Sequence, residues 1–519
     1  MQNRILKHAE QFLFYGSLLL CLGFIVKGGY NPSIDGPTHM YNARIIGYLF
    51  SDNDFIHQFF SLNKVPVPNL ASHFILAFFY IFFSSTVSVK LLLIISVAGL
   101  ALAFRAILSL LNPSNICFSV FGIVLAHSFL YYIGFYNFCL SLAFMLWATY
   151  YYLKYVKGVG YNSKRYAILF VLIMFTYFTN GLAFAILGFM LGFVEIQAVY
   201  VSYKNRRDRN GKAAIKRFFI FSSLWIPGII CFLIFSSLIP LHASNGKAMS
   251  FIDLVKWIIN VRPLIVYGEG EELLTKTIFY VLIASLLSCT VFYFKEKENA
   301  KSIKGFVFLT TAVLILICYF AVPNGSSVGM MSVRFCFYFF LFFILWLALQ
   351  RNYSVVIKLG AVVVYALFWI LMLGYHQPTL KKLNNTVTEI VDAGKLIKPN
   401  SVVFAINYTD NWLMDHFTDY ALLQQPEIDP NNYEAMVGWF PVVWSDQTKP
   451  HVYLNDSIMN MTNNTKHPID YIFVLGDISK MLNGGENPRA RKLIDNKGTL
   501  VFKTNDSLIH LYSINNTAQ

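Results

Sequence analysis

The sequence predicts an all-α polytopic membrane bundle followed by a soluble C-terminal α/β domain. Three observations carry this. Of the 519 residues, 56% are hydrophobic and 13% charged, where a soluble globular chain carries roughly 25% charged residues. The first 375 residues hold a succession of apolar runs near the length that spans a bilayer. Past residue 375 the chain turns polar and rich in Asn and Asp, with only short strand-like apolar runs.

Spanning the hydrocarbon as a helix takes about 20 apolar residues. About eleven runs approach or exceed this: 11–30, 87–104, 116–132, 135–153, 166–178, 181–201, 218–241, 277–294, 305–322, 332–349 and 355–375. Run 166–178 is short and borrows flanking residues. Run 71–83 is shorter still and carries His73, which reads as a juxtamembrane or re-entrant helix. The first run is too long for a signal-peptide core and lacks a small-residue cleavage site, so it reads as a retained span. Aromatic residues make up 17% of the chain, with 49 Phe and 31 Tyr, as expected of lipid-facing helices and interfacial belts.

The net charge of +14 comes from 41 basic and 27 acidic residues. Its placement argues against nucleic acid, because the basic residues sit in short loops between apolar runs, as the positive-inside rule expects. Arg4 and Lys7 put the N-terminus inside. Lys154, Lys157, Lys164 and Arg165, the cluster from Lys204 to Arg217, and the loop from Lys295 to Lys304 then also fall inside, provided 71–83 does not cross. Eleven spans therefore put the C-terminus outside. Segments 31–70, 242–276 and 323–331, the turns at Gly134 and at Thr179 and Asn180, and the tail all share that outer side. The expected organisation is a bundle over 1–375 with a first outside loop at 31–70, then an extracytoplasmic α/β domain over 376–519.

In the tail, strand-like runs at 401–406, 471–476, 498–502 and 508–512 alternate with helical stretches at 386–396 and 486–496. That pattern suits a small α/β domain of roughly 140 residues. No glycine-rich fingerprint follows 471–476, so a dinucleotide site is not expected. The Asn-X-Ser/Thr triplets at Asn407, Asn455, Asn460 and Asn505 carry little weight in so Asn-rich a segment. All seven cysteines lie in apolar runs and none in the tail. This excludes a disulfide framework and offers no zinc spacing; they read as small core hydrophobes.

The most informative stretch is Pro32-Ser-Ile-Asp35-Gly-Pro-Thr-His39-Met-Tyr-Asn42. It directly follows the first span and so lies at the membrane surface. Pro32, Gly36 and Pro37 mark a tight turn before a helix starting near Thr38. Asp35 is thereby held in a partly desolvated place that raises a carboxyl pKa. Such a group suits a general base accepting a hydroxyl proton, with His39 one turn along to orient or share it. Ordinary N-terminal capping by Asp35 fits the same residues at least as well.

The architecture resembles the GT-C superfamily, the lipid-phosphate-sugar-dependent glycosyltransferases that include protein mannosyltransferases and aminoarabinose transferases. The segment Asp35-Gly-Pro-Thr-His39 resembles the acidic start of their first outside loop. Pro66-Val-Pro-Asn69 followed by His73 resembles its later juxtamembrane part. Gly134-Phe-Tyr-Asn137-Phe and Val328-Gly-Met-Met-Ser-Val-Arg334 are similar to stretches of bacterial members. The resemblance implies a polyprenyl-phosphate donor and a catalytic acid at Asp35. A second acid directly beside it is missing, since Gly36 stands there. Candidates for that role are Asp52 and Asp54, in Asp52-Asn53-Asp54, and Glu269, Glu271 and Glu272. An Asp-X-Asp can hold a divalent metal on a sugar phosphate, while a polar turn explains the same residues. The glutamates equally fit a solvated surface.

Arg334 lies at the outer end of a span. A guanidinium there can take a departing phosphate with two parallel hydrogen bonds, or simply snorkel to the interface. Asn137 and Asn180, each at an outside turn, line a sugar site on one reading and cap helices on the other. His57 and His73 face substrate or interface. The expected reaction is transfer of a sugar from a polyprenyl-phosphate donor to an extracytoplasmic lipid, glycan or protein acceptor. The rivals are a polysaccharide polymerase or ligase and a lipid-linked glycan transporter. A transporter needs mid-span ionisable residues and an internal repeat. Only Glu195 and Arg105 qualify as the first, and no repeat is visible.

Overall fold

The computed structural model describes residues 2–157, 161–204, 208–239, 249–295, 305–325, 329–350, 353, 355–445, 468–482, 485 and 487–516. Two compact units emerge. The first comprises Met1–Val26, Leu93–Tyr132 and Asn137–Thr379, and the second Lys27–Leu92, Ile133–Tyr136 and Leu380–Gln519. The first outside loop thus belongs to the same compact unit as the tail.

Eight helices among the described residues are long and apolar enough to cross a membrane: His8–Lys27, Ser85–Leu111, Pro113–Tyr132, Gly181–Ser202, Ala214–Leu238, Glu272–Val291, Met331–Leu349 and Val356–Gly394. The other three expected runs form Tyr136–Tyr151, Ser163–Thr179 and Phe306–Ala321, of 16, 17 and 16 residues. At 1.5 Å per residue these reach about 25 Å, short of the ~30 Å hydrocarbon; the first is extended by a π-helical turn over Tyr152–Val156. The 71–83 run forms a helix over Ala71–Tyr80, only 10 residues long. Its reach of about 15 Å is half a bilayer.

In the first unit, Met331–Leu349 is the innermost helix, buried along nearly its whole length by phenylalanines that meet neighbours such as Phe138 and Phe308. Outer helices turn large apolar side chains outward instead, among them Phe12, Leu19, Ile229, Leu233, Leu367 and Ile370. Exposed apolar faces on this scale match lipid rather than water, and the chain is an integral membrane protein. Charges inside this unit are paired. Arg105 grips both carboxylate oxygens of Glu10 and donates to Ser119, and Glu195 accepts from Tyr152 at 2.7 Å and Arg217 at 3.1 Å. Neither mid-span group is therefore an unpaired charge along a path. The basic connectors at 205–207 and 296–304 lie outside the described residues.

The second unit is built on a mixed five-stranded sheet. Its strands are β2 (Ser401–Tyr408), β3 (Glu427–Ile428), β5 (Tyr471–Gly476), β6 (Gly498–Lys503) and β7 (Ile509–Ile514), in the order β3-β2-β5-β7-β6. β2 and β5 are parallel and read as unbroken apolar runs because both faces are covered. β6 and β7 close the sheet as an antiparallel pair with an exposed edge. Two shorter strands, β1 (Phe60–Leu62) and β4 (Val442–Trp444), pair antiparallel and join the first loop to the tail. Phe60 stacks on Trp444 at 4.4 Å between ring centres. The tail's first helical stretch belongs to a single helix, Val355–Gly394, which runs on through Pro378. The second runs Pro488–Lys497. The triplets at Asn455 and Asn460 lie outside the described residues.

Candidate functional site

The Asp35 turn is fixed by a close backbone approach. Asp35 N–H donates to Ile133 C=O at 3.0 Å. Gly134, at φ +87°, lies against Gly36 so tightly that a Cβ on Gly134 would stand 2.5 Å from Gly36 N. A side chain on Gly36 would in turn collide with Ser33 and the Tyr136 hydroxyl. Both glycines are thus required by contact, and Gly134 also by its left-handed backbone. The helix Gly36–Leu49 starts with Pro37 in its first turn, where a missing N–H costs nothing. Asp35 occupies the capping position yet makes no side-chain cap hydrogen bond. Its carboxylate, 21% exposed, faces His416 with Oδ1 3.9 Å from Nε2. His416 stacks on Tyr433 at 4.7 Å, and burial lowers its pKa to about 4, so its ring is neutral near pH 7.

The same helix docks onto the tail through successive side chains. Thr38 Oγ1 donates to Asp419 Oδ2 at 2.5 Å. Tyr41 donates to the Glu427 carbonyl and accepts from Asp429 N–H. Asn42 and Asn432 exchange amide hydrogen bonds at 3.1 and 2.9 Å. Burial raises the Asp419 pKa to about 7, with the Thr38 hydrogen bond opposing and the Glu434 charge assisting. Burial likewise lifts Glu427 to about 9. Near pH 7 Glu427 is therefore protonated, and Asp419 titrates there.

Behind Asp35 lies the densest group. His39 Nδ1 is 2.5 Å from Glu434 Oε1, His73 Nε2 is 2.9 Å from Oε2, and the two ring nitrogens are 3.2 Å apart. All three side chains are essentially buried. Glu434 sits in the first turn of Tyr433–Val437, a helix capped by Asn432. Burial alone would raise the Glu434 pKa, but the two imidazoles pull it down to about 2. Burial opposes charge on His39, yet the Glu434 and Asp35 charges outweigh it and the pKa rises. On His73 burial prevails and the pKa falls. This is the one set of three or more His, Cys, Asp or Glu side chains among the described residues with the proximity to hold a metal ion.

Asp35, His39 and His73 thus fall in one unit, close to Glu434, His416 and Asp419, which the sequence reading did not single out. Asp52 and Asp54 flank Asn53, whose side chain accepts from Ile56 N–H at 3.0 Å and caps the helix Asp54–Phe59. Both aspartates are exposed. His57 is exposed too, with Nε2 3.1 Å from the Ser51 carbonyl.

Arg334, Asn137, Asn180 and Glu269 belong to the first unit. Arg334 is buried near the start of Met331–Leu349, its guanidinium 5.7 Å from the Phe138 ring centre. The preceding loop includes 326–328, so Val328 of the sequence stretch lies outside the described residues. Asn137 is buried in the first turn of Tyr136–Tyr151. Asn180 accepts from Leu182 and Ala183 N–H at 3.1 Å each, which is capping. Glu269 starts a short 3-10 turn, and its side chain lies outside the described residues. Glu271 is buried, accepts from Val266 and Tyr267 N–H at 2.7 and 2.8 Å, and lies 3.4 Å from His376. Glu272 lies 3.4 Å from Lys276 one turn on.

Comparison with protein-family models finds no match, and neither does comparison with curated protein sequences. Among solved structures the chain overlaps arabinofuranosyltransferase AftD from Mycobacteria, with TM-score 0.48, 14% identity, and coverage of 99% of this chain and 40% of that one. It also overlaps the archaeal oligosaccharyltransferase AglB from Archaeoglobus fulgidus, with TM-score 0.39, 11% identity, and coverage of 98% and 75%. The chain spans two fifths of the length of the mycobacterial protein.

Proposed function

We propose that the protein is a membrane glycosyltransferase that moves a sugar from a polyprenyl-phosphate donor to an acceptor outside the cytosol. Asp35 is its general base. The observation that carries this reading is the Asp35 carboxylate itself, which is locked by the Gly36–Gly134 contact, makes no cap bond, and remains partly open. The plainer alternative, a capping aspartate, lacks the bond that would define it.

In the proposed step the acceptor hydroxyl gives its proton to Asp35 as its oxygen bonds to the anomeric carbon. The carbon–oxygen bond to phosphate breaks, and its electron pair leaves on the polyprenyl phosphate. Arg334 is assigned to the donor phosphate, where a guanidinium stabilises developing charge. The N-terminus is assigned to the cytoplasmic side, and the first loop and tail to the opposite side, by the distribution of Lys and Arg between short connectors and long segments. An acceptor-binding or positioning role falls to the tail. Paired Glu195 and Arg105 make the transporter alternative the weaker one.

The test is donor dependence. Membranes carrying the full chain are supplied with radiolabelled polyprenyl-phosphate sugars or with nucleotide sugars. Transfer to an endogenous acceptor from the lipid donors alone is the expected result. Equal transfer from nucleotide sugars under conditions that block lipid-donor synthesis overturns the reading.

A further inference from the structure

We infer that His39, His73 and Glu434 form a transition-metal site of the zinc class, which fastens the first-loop helices to the tail domain. The inference begins from ligand chemistry. Two imidazole nitrogens and a carboxylate are donors that zinc accepts, at bond lengths of about 2.0–2.2 Å. A tetrahedral ion with such bonds separates its ligand atoms by roughly 3.3 Å. His39 Nδ1 and His73 Nε2 are 3.2 Å apart and lie 2.5 and 2.9 Å from Glu434 Oε1 and Oε2 respectively. With one ligand atom taken from each residue, all lie within 4.8 Å of one another, and side-chain adjustment brings them to tetrahedral spacing.

Glu434 Oε1 is buried beside His39 Nδ1 at 2.5 Å, an imidazole–carboxylate contact shut off from solvent. His39 Nδ1 and His73 Nε2 face each other at 3.2 Å, a spacing that one N–H and one lone pair satisfy. With both nitrogens deprotonated, their two lone pairs and the carboxylate converge on one buried point, which suits a bound cation.

The ligands come from three separate stretches. His39 lies on Gly36–Leu49, His73 on Ala71–Tyr80 and Glu434 on Tyr433–Val437. Binding that requires all three is also folding energy for the unit they join. Three protein ligands leave the fourth tetrahedral position to a solvent oxygen, the ligand count of an open zinc site. Burial of all three side chains nevertheless suits an ion that holds structure and sets the local field.

The test measures metal in the full-length protein, purified in detergent without chelator. About one zinc per chain is expected, with His73→Gln and Glu434→Gln reduced to background and His57→Gln unchanged. Loss of a ligand can also unfold the unit, so the wild type supplies an independent reading. Chelation should lower its Tm and zinc(II) should restore it, while cobalt(II) should give the visible absorption of a tetrahedral site. No stoichiometric transition metal in the wild type, together with a Tm indifferent to chelator and to added zinc, overturns the inference. That outcome would leave the three groups as a proton-sharing cluster and would not touch the role of Asp35.

Discussion

Thr38 Oγ1 donates to Asp419 Oδ2 at 2.5 Å across 381 residues of sequence, so the helix that follows Asp35 is anchored to a carboxyl buried in the tail. The Asp419 pKa, raised by burial from 3.8 to about 7, makes this anchor pH-dependent. With the folded pKa above the unfolded one, the stabilising contribution is complete below about pH 4 and declines as pH rises toward 7. Above that it is constant. Asp419→Asn keeps an oxygen for Thr38 but cannot ionise. Its thermal midpoint should fall less steeply than the wild type's between pH 4 and 7, by the equivalent of a few kcal/mol. Some slope persists from Glu427, whose pKa of about 9 acts in the same direction. Parallel curves for the two proteins would contradict this assignment.

Gly134→Ala tests whether the turn, and not merely the carboxylate, is needed. The new methyl would stand 2.5 Å from Gly36 N and would sit on a residue with φ +87°. Strain of this kind costs about 1–3 kcal/mol and moves the backbone that holds Asp35. Sugar transfer should drop at least tenfold while the protein remains folded and membrane-inserted. Unchanged transfer in a folded Gly134→Ala protein would show that Asp35 needs no such support.

The Asn42–Asn432 amide pair offers a test of docking without touching any ionisable group. Asn432→Ala leaves the fully buried Asn42 amide without that partner and removes the cap from Tyr433–Val437. Unfolding should be easier by about 1–3 kcal/mol, with limited proteolysis showing earlier release of the tail. A loss within error of zero would mean that water replaces the pair.

Much of this architecture was readable from apolar spacing. Strand runs at 401–406 and 471–476 became β2 and β5 because unbroken β-branched and aromatic stretches suit covered parallel strands. Among the described residues the eleven apolar runs became helical, apart from short breaks such as that at His127 and Ser128, since a run of that length in lipid has no other way to satisfy its backbone. What escaped was short or distant. β1, β3 and β4 have two or three residues each, too few for any periodicity. Residue 375 reads as a boundary because composition changes there, yet the helix runs to Gly394 because backbone hydrogen bonding is indifferent to side-chain polarity.

Within the site, Asp35 and His39 were legible from their place after the first span. Glu434 was not, because Tyr433-Glu-Ala-Met looks like any exposed helical turn and lies 395 residues from His39. One signal was present: His73 sits in an apolar run, and a buried imidazole needs a partner. Nothing in the local pattern said which acid would supply it. Arg334, by contrast, kept both of its readings, since burial beside Phe138 is compatible with a phosphate partner and with packing.

The most direct test of the account is the rate of sugar transfer from a polyprenyl-phosphate donor by Asp35→Asn, compared with wild type at equal expression and equal Tm. Removal of a general base should reduce the rate by about 10²–10⁴-fold, with donor binding retained and Asp35→Glu recovering part of the loss. Full activity in a stably folded Asp35→Asn protein would contradict the assignment of this carboxylate to the chemistry.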